Sequence, residues 1–322
     1  MAKINKIAIL TSGGDAPGMN AAIRAVVRSA LSHGLEVYAV YDGYAGLIAN
    51  NIKKMDRSSV TNIINRGGTI LGTARLPEFA EDEVALKGVE NLKALGIDCL
   101  VAIGGDGTYR GVLKLHKFGI NCIGIPGTID NDIASTQYTI GFDTAVNTVL
   151  SLISNIRDTA SAHERTTIIE VMGRHCGDIA LHAGLAGGAD VILVPEIDLD
   201  INKVCRRVLR GQQSGKLHSI IIKAEGVEID SMELAKEIEE RTGREARAVV
   251  PGHIQRGGTP SGRDRILASL MATKAVELLY DDEESQAIGI VGNDIVHYDL
   301  AKALEVEREF GEDIYELAEV LS

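Results

Sequence analysis

The sequence lacks tryptophan, and aromatic residues make up only 4% of its 322 positions. Single-stranded nucleic acid is commonly held by stacking its bases on aromatic side chains, and this chain offers few of them. Acidic residues exceed basic ones, with 45 Asp and Glu against 33 Lys and Arg, for a formal net charge of −12. Because such a surface repels nucleic acid and anionic membranes at long range, we expect neither as a partner.

Cysteine, proline and long apolar runs are scarce as well. The four cysteines show no C-x-x-C spacing and no histidine in register with them, which argues against a disulfide framework and a zinc site. Cys99 and Cys122 border apolar runs and are expected to be small buried hydrophobic residues. No segment reaches the length of about 18 apolar residues that a membrane span needs, and the first residues lack the apolar stretch of a signal peptide. The sequence therefore predicts a soluble, cytoplasmic protein.

Glycine is abundant, with 35 residues, and 45% of the chain is hydrophobic. A chain of this length buries a full core and is expected to divide into two domains. Short apolar runs such as Ile7–Leu10, Cys99–Ile103 and Asn121–Ile125 alternate with amphipathic stretches such as Asn20–Ser32. This alternation predicts an α/β fold with parallel sheets covered by helices. No Pro- or Ser-rich linker marks the domain boundary, which we place near Thr139–Asp143.

Two glycine-rich loops follow predicted strands. Thr11–Asp15 follows the first strand, and Gly104–Thr108 follows the strand at Cys99–Ile103. Paired glycines let backbone N–H groups approach a phosphate, and a helix N-terminus adds a favourable dipole. The first loop has neither the Walker A nor the GxGxxG pattern, and it also suits a plain tight turn. Asp106, flanked by glycines, either stabilises its own turn or reaches a hydrated Mg²⁺ beside a nucleotide phosphate.

A third loop, Pro126–Asp132, follows the strand at Asn121–Ile125 and presents two carboxylates and a hydroxyl. Open α/β sheets bind ligands at the carboxyl ends of their strands, where this loop is expected to lie. In phosphoryl transfer the protein positions the reactants, neutralises charge and accepts the proton of the attacking hydroxyl. Asp130 suits the base, Asp132 its orientation or the metal, and Thr128 a contact to the phosphoryl group or the sugar. The alternative is an Asx-turn whose carboxylates only cap the local backbone.

Three longer motifs occur in order: PGTIDND at Pro126–Asp132, EVMGRHCGD at Glu170–Asp178 and GHIQRGG at Gly252–Gly258. With them the chain resembles the bacterial ATP-dependent 6-phosphofructokinases over nearly its whole length. The resemblance implies transfer of the ATP γ-phosphoryl to the 1-hydroxyl of fructose 6-phosphate, giving fructose 1,6-bisphosphate and ADP in glycolysis. It also implies two Rossmann-like three-layer α/β/α domains with largely parallel sheets and an active site in the cleft between them. The expected ATP-binding domain comprises 1–140 and 254–305, and the expected sugar-phosphate-binding domain comprises 141–253 and 306–322.

The resemblance also assigns roles to individual residues. In catalysis it implies Asp130 as base with Thr128 and Asp132 beside it, Arg174 on the transferring phosphoryl and Arg75 bridging both phosphates. ATP is expected at Gly14, Arg75, Leu76, Gly105, Asp106, Gly107 and Thr108, with Asp106 as the ligand of Mg²⁺. Fructose 6-phosphate is expected at Thr128, Ile129, Asp130, Arg165, Met172, Gly173, Arg174, Glu225, Arg247, His253, Ile254, Gln255 and Arg256. The pair Arg165 and Arg247 matches residues that reach the 6-phosphate from a neighbouring subunit, which implies a homotetramer with shared active sites.

A second site for an anion is predicted on the first helix. Arg24 and Arg28 lie at i and i+4, where two like charges are mildly unfavourable unless an anion joins them; the alternative is a solvated basic patch. The resemblance implies ADP as activator and phosphoenolpyruvate as inhibitor at Arg24, Arg28, Arg57, Arg157, Gly188, Asp190, Ser214, Lys216 and His218. Asp190, Ser214 and Leu217 stand where regulated members commonly have Glu or Lys, so we expect a weaker effector response than theirs.

Gly107 and Gly127 bear on the phosphoryl donor. In pyrophosphate-dependent relatives, Asp and Lys typically occupy these positions and fill the space of the nucleotide α-phosphate. Glycine at both positions therefore favours ATP over the alternative of a pyrophosphate-dependent enzyme. A non-catalytic nucleotide-binding regulator on the same scaffold is a further alternative, but such a protein has no need of Asp130 or of the arginine set.

Overall fold

The computed structural model describes residues 4–97, 99–281 and 284–322. The strands in these ranges are β1 (Lys6–Thr11), β2 (Glu36–Val40), β3 (Ile52–Met55), β4 (Cys99–Gly104), β5 (Asn121–Thr128), β6 (Ile140–Gly141), β7 (Thr166–Val171), β8 (Val191–Leu193), β9 (Ser219–Ala224), β10 (Ala246–Val249), β11 (Gln286–Val291) and β12 (Asp294–Asp299). The α-helices are α1 (Met19–Ser32), α2 (Gly43–Ile48), α3 (Asp82–Ala94), α4 (Asp106–Lys117), α5 (Phe142–His163), α6 (Asp178–Gly187), α7 (Ile201–Gln213), α8 (Ser231–Thr242), α9 (Gly262–Tyr280), α10 (Leu300–Ala303) and α11 (Glu312–Leu321). Short 3₁₀ segments occur at Pro77–Ala80 and Gly252–Arg256.

The chain divides into two compact units, the first comprising Met1–Thr144 and Arg256–Arg308. Its sheet runs in the order β12-β11-β5-β4-β1-β2-β3, with β6 paired to β5. The inner strands pair in parallel, whereas β3 and β12 run antiparallel at the two edges. The predicted α/β class with a largely parallel sheet is confirmed, and the antiparallel edges are an addition that the sequence patterns do not indicate.

The central strands of this sheet have helices on both faces. Ala8 and Leu10 of β1 belong to a hydrophobic core that includes residues of α3, such as Leu92. Side chains alternate between the two faces of a strand, so the buried Ile7 and Ile9 point to the opposite face, where α1 and α9 pack. Burial on both faces explains why these strands appear in the sequence as continuous apolar runs.

The second unit comprises Ala145–Gln255 and Glu309–Ser322. Its four strands are all parallel, in the order β10-β7-β9-β8. Helix α6 packs on β8 and β9 and against α11, whereas α8 packs on β7 and β10 and against α7. The contact of α11 with α6 explains why the C-terminal segment belongs to this unit.

The unit boundaries fall at 144/145, 255/256 and 308/309. The sequence-based domain limits stand at 140/141, 253/254 and 305/306. The assignment of ATP to the first unit and of sugar phosphate to the second stays a prediction.

Two further expectations concern cysteine and the membrane. Cys99 and Cys122 are buried, as are the other two cysteines. Among the helices that the structure describes, none combines the length and the apolarity needed to cross a bilayer.

Candidate active site

Most of the segment Gly104–Thr108, which the sequence predicts as a loop, belongs to a strand and a helix. Strand β4 ends at Gly104, and α4 begins at Asp106 with Gly105 as its N-cap. Thr108 is 2% exposed and its hydroxyl donates a hydrogen bond to the Ser12 carbonyl at 3.1 Å. The Thr108 hydroxyl therefore connects the two glycine-rich loops. The sequence predicts a contact of Thr108 with ATP but not this structural role.

Asp106 stands in the first turn of α4, where its carboxylate is 47% exposed. One of its oxygens accepts a hydrogen bond from Arg110 Nε at 2.8 Å, and this contact raises the pKa of Arg110 above its ordinary value. No group of three or more His, Cys, Asp or Glu suited to a metal is found in the described part of the chain. Mg²⁺ needs only one or two carboxylates when nucleotide phosphates and water supply its other ligands, so a lone accessible Asp106 fits it.

The acidic loop begins inside a strand, because β5 continues through Pro126 and Gly127 to Thr128. The hydroxyl oxygen of Thr128 accepts the Asp130 N–H at 3.1 Å, and the Thr128 carbonyl accepts the Thr139 hydroxyl at 2.6 Å. Asn131 adopts a left-handed conformation, with φ of 52°, and its Oδ1 accepts the Thr139 N–H at 2.9 Å. Asp130 itself is 1% exposed. These contacts hold Asp130 in a fixed, buried position, while Asp132 nearby is half-buried.

Arg256 contacts two of the three loops. Its Nη2 lies 3.6 Å from Asp130 Oδ2, and its Nη1 donates to the Asp15 carbonyl at 3.1 Å. A side chain at Gly14 would place its Cβ only 2.3 Å from Arg256 Nη1, so the close approach of this arginine requires glycine there. The resemblance implies that Arg256 binds the sugar phosphate, and no sequence pattern indicates its contact with Asp130, which is distant in the sequence.

Arg75 and Leu76 lie on the segment that precedes the 3₁₀ turn at Pro77–Ala80. Arg75 is exposed and Leu76 is half-buried against the core of the first unit. The exposed guanidinium is accessible to a phosphate.

In the second unit, two predicted substrate residues also support the backbone. Glu225 Oε1 accepts the N–H groups of Gly173 and Arg174 at 3.1 and 2.8 Å. Gln255 is fully buried, and its Oε1 accepts the Met172 N–H at 3.0 Å. Arg174 is exposed in a left-handed conformation with φ of 55°. Glu225 and Gln255 thus fix the turn at 172–174 and with it the start of the Arg174 side chain.

Arg165 and Arg247 are brought together by one carboxylate. Glu245 accepts Arg165 Nε at 2.7 Å and lies 2.8 Å from Arg247 Nη2. Hydrogen bonds from Arg165 and then from Arg247 hold the pKa of Glu245 below its ordinary value. The two arginines are 34% and 67% exposed, and so available to a ligand outside this chain. His253 and Ile254 are exposed as well.

Three of the predicted effector residues lie in the first unit. Arg24 and Arg28 are half-buried on α1, and Arg57 is exposed after β3. Burial and then the positive charges of Arg28 and Arg57 lower the pKa of Arg24. Within the described residues Arg28 Nε is buried without a hydrogen-bond partner. A bound anion would stabilise this concentration of positive charge, and the effector site stays a prediction.

The other effector candidates lie in the second unit. Asp190 pairs with Lys216, and its Oδ2 accepts the Ile220 N–H at 2.8 Å. Arg157 donates to the Gly188 carbonyl at 3.0 Å, and the hydroxyl of Ser214, the C-cap of α7, donates to the Gly211 carbonyl. The pKa of His218 is lowered by burial. Asp190 therefore has a cation and a backbone donor as partners within this chain.

The sequence does not indicate the residues that hold the acidic loop in place. Thr139 and Asn131 are ordinary polar residues, and Asp264 lies far along the chain in α9. A local signal for Asp264 exists, because Ser261-Gly-Arg-Asp264 has the spacing of a capping box and Ser261 is the N-cap of α9. That pattern predicts a helix start but not the contacts of the Asp264 carboxylate.

The chain matches the family model described as phosphofructokinase over residues 6–279. It is 56% identical over 319 residues to ATP-dependent 6-phosphofructokinase 1 of Clostridium perfringens (strain 13 / Type A), covering 99% of this chain and 100% of that relative. Identity to the ATP-dependent 6-phosphofructokinase of Bacillus subtilis (strain 168) is also 56%, with the same coverage. The solved structure of phosphofructokinase from Saccharomyces cerevisiae superposes with a TM-score of 0.91 at 34% identity and 98% coverage of this chain, which spans 50% of the yeast chain.

Proposed function

The chain belongs to the phosphofructokinase family, and we propose that Asp130 and the first turn of α4 carry its reaction. It is a phosphotransferase that moves the γ-phosphoryl group of ATP to the 1-hydroxyl of fructose 6-phosphate, forming fructose 1,6-bisphosphate and ADP in glycolysis. One observation carries the assignment of residues. Asp130 is a buried carboxylate fixed at the carboxyl end of a central strand, with the Arg256 guanidinium 3.6 Å away.

In this proposal Asp130 is the general base. It accepts the proton of the sugar 1-hydroxyl while the hydroxyl oxygen forms its bond to the γ-phosphorus and the bond to the ADP oxygen breaks. Arg256 favours the ionised form of Asp130 by its positive charge. Arg174 and Arg75 neutralise the charge on the transferring phosphoryl group, and Thr128 and Asp132 flank the base. The proton on Asp130 then passes to solvent.

We further propose that Mg²⁺ accompanies ATP and that Asp106 holds it. When bound, the ion neutralises charge on the β- and γ-phosphates. The half-exposed Asp106 carboxylate at the N-terminus of α4 supports this assignment, since both the helix dipole and backbone N–H groups favour phosphates there. Arg110 contacts Oδ2 of Asp106, so Oδ1 is the oxygen that would hold the ion.

The proposed sugar phosphate pocket combines Glu225, His253 and Arg256 of one subunit with Arg165 and Arg247 of its neighbour in a homotetramer. The joint contact of both arginines with Glu245 supports their acting together on one phosphate. We propose ADP and phosphoenolpyruvate as effectors at the arginine cluster of α1, with a weak response, and action in the cytoplasm. The Lys216 pairing of Asp190 supports the weak response, because a cation occupies the carboxylate.

Replacing Asp130 tests the assignment of the base. Asp130→Ser is expected to lower kcat by roughly 10²–10⁴, the usual contribution of general base catalysis, and to change the KM for fructose 6-phosphate far less. An ADP-release assay with ATP, and a parallel assay with pyrophosphate as donor, provides the measurement. Asp294→Ser, at an exposed position on β12, is the control and retains wild-type turnover. Near-normal turnover of Asp130→Ser removes Asp130 from its proposed role.

A further inference from the structure

Asp264 is a buried carboxylate that the reaction does not use directly. It lies in the first turn of α9 and is 1% exposed. Its Oδ1 accepts the Gly141 N–H at 2.9 Å, and its Oδ2 accepts the N–H of Thr144 at 2.8 Å and the Thr144 hydroxyl. Three donors therefore converge on this carboxylate, and all of them belong to the segment that follows the acidic loop.

The contacts of Asp264 go beyond what capping of α9 requires. Its own N–H donates to the hydroxyl of Ser261, the N-cap residue, so the helix start is satisfied by Ser261. The Ser261 hydroxyl donates in turn to Asp143 at 2.6 Å, and the Ser261 N–H donates to the Thr144 hydroxyl at 2.9 Å. The start of α9 is thus bound at several points to the start of α5.

The segment held by Asp264 is in turn the support of the acidic loop. Gly141 and Ile140 form β6, which pairs with Thr128 and Gly127 of β5. Thr139, one residue earlier, donates its hydroxyl to the Thr128 carbonyl and its N–H to Asn131. The Asp130 N–H is bonded to the Thr128 hydroxyl oxygen. Hydrogen bonds, together with the short backbone segment 139–141, therefore connect Asp264 to both sides of Asp130.

We propose that Asp264 is a positioning residue for phosphoryl transfer, which holds Asp130 in its reactive position by anchoring Gly141 and Thr144. The inference rests on the proposed role of Asp130 as general base. Burial raises the pKa of Asp264 above its ordinary value, because the charged carboxylate loses its hydration. The three hydrogen-bond donors offset part of this desolvation cost. Asp264 acts on the reaction only through the backbone of the loop.

The isosteric variant Asp264→Asn tests the proposal. An amide oxygen accepts fewer hydrogen bonds than a carboxylate, and its NH₂ group cannot accept the Thr144 N–H. Displacement of the reacting groups by about 1 Å can cost up to 10²-fold in rate, so kcat is expected to fall roughly 10- to 100-fold. The KM for ATP is expected to stay near the wild-type value, because the predicted ATP-binding segment Gly105–Thr108 follows β4 directly and is not part of β6. Thr144→Val removes the hydroxyl that donates to Asp264 and accepts the Ser261 N–H, but it keeps the Thr144 N–H contact, and it is expected to show a smaller loss of the same kind.

A double variant separates positioning from a general loss of stability. In an Asp130→Ser background the residual kcat is expected to change less than about 2-fold on adding Asp264→Asn, since the group that it positions is gone. Leu279→Ala, at a fully buried position of the same helix, is the stability control, with a lowered melting temperature and an unchanged kcat per folded molecule. All rates are measured below the melting temperature of each variant.

The outcomes distinguish this inference from the proposed function. If Asp264→Asn has wild-type kcat, or if it lowers kcat equally in both backgrounds, Asp264 does not act through Asp130 and the inference fails. If Asp130→Ser alone retains normal turnover, it is the proposed base that is wrong.

Discussion

The guanidinium of Arg256 lies where it influences the charge of Asp130 most directly. The pair is almost enclosed, with side-chain exposures of 12% and 1%, so solvent screens the interaction little. A nearby cation stabilises the ionised carboxylate, which is the form that a general base needs. We therefore propose two roles for Arg256: its charge stabilises the ionised Asp130, and its guanidinium contacts the sugar phosphate.

Removing the charge at position 256 is expected to weaken the site. Arg256→Gln loses the guanidinium that bonds the Asp15 carbonyl and that is proposed to contact the sugar phosphate, so kcat/KM for fructose 6-phosphate is expected to fall roughly 10- to 100-fold. Arg256→Lys keeps the charge and is expected to lose less. The measurement is kcat/KM for fructose 6-phosphate at saturating ATP. Equal values for the Gln variant and the wild type would contradict a role of Arg256 at the site.

His218 provides a second prediction at the scale of one residue. Burial lowers its pKa from 6.5, with Arg157 and Lys216 acting in the same direction and Asp190 opposing them. The unfolded chain therefore binds the proton more readily, so this residue's contribution to stability is present above pH 6.5 and is lost as pH falls through the folded-state pKa. His218→Asn, which keeps a hydrogen-bonding group near Ser161, is expected to lose less stability on acidification than the wild type. Melting temperatures from about pH 8 to about pH 5 measure this, and parallel curves would refute it.

At the scale of elements, the sequence predicts best what is buried on both faces. The runs that form β1, β4 and β5 are continuously apolar, and their positions follow from that pattern. The edge strands β3 and β12 are more polar and more exposed, and their sequence patterns do not differ enough from that of a loop. Pro126 suggests a strand end. However, β5 continues past Pro126 to Thr128. Pro126 is tolerated because it pairs with Gly104, the last residue of β4, where the pairing of these two strands ends.

The candidate site is also only partly predictable from the sequence. Its loops follow strands along the chain, so their positions at one edge of the sheet follow from topology. The contacts of Arg256 with Asp130 and of Asp264 with Gly141 each join residues more than 100 positions apart. No local periodicity encodes such contacts, since they depend on how α9 packs beside β6. The sequence thus indicates the residues that are proposed to do the chemistry, but not those that hold them in place.

The first turn of α4 allows a direct test of the donor. A Cβ at Gly107 meets no atom within 4 Å, whereas one at Gly127 lies 2.8 Å from Ile103 Cγ2 in the core. Gly107→Asp is therefore expected to fold normally, and its carboxylate repels the ATP phosphates, raising the KM for ATP at least about 10-fold. Gly107→Ala is the matched control and is expected to keep a KM near that of the wild type. Gly127→Lys is expected to lower the melting temperature. An unchanged KM for ATP in Gly107→Asp would show that position 107 does not face the nucleotide.

For the molecule as a whole, an acidic chain needs several positively charged side chains close together to bind a sugar phosphate. With a net charge of −12, a doubly charged ligand is disfavoured unless several positive groups act together. Arg165 and Arg247 lie side by side on Glu245, and both retain exposed surface. A neighbouring subunit is the proposed recipient of this pair, so that no isolated chain has a complete site.

Mixed oligomers are expected to regain activity that neither parent variant has. Asp130→Ser lacks the base and Arg247→Ala lacks a cation for the neighbour's site, so each homo-oligomer has low kcat or high KM. After joint unfolding and refolding of equal amounts, a site that takes Asp130 from one variant and Arg247 from the other is intact. With random assembly about a quarter of the sites are of this kind, and activity should approach that share of the wild-type value at low fructose 6-phosphate. The separately refolded variants, mixed afterwards, serve as the control. Activity no greater than that of this control would mean that each chain supplies both residues to its own site, and the proposed sharing between subunits would be wrong.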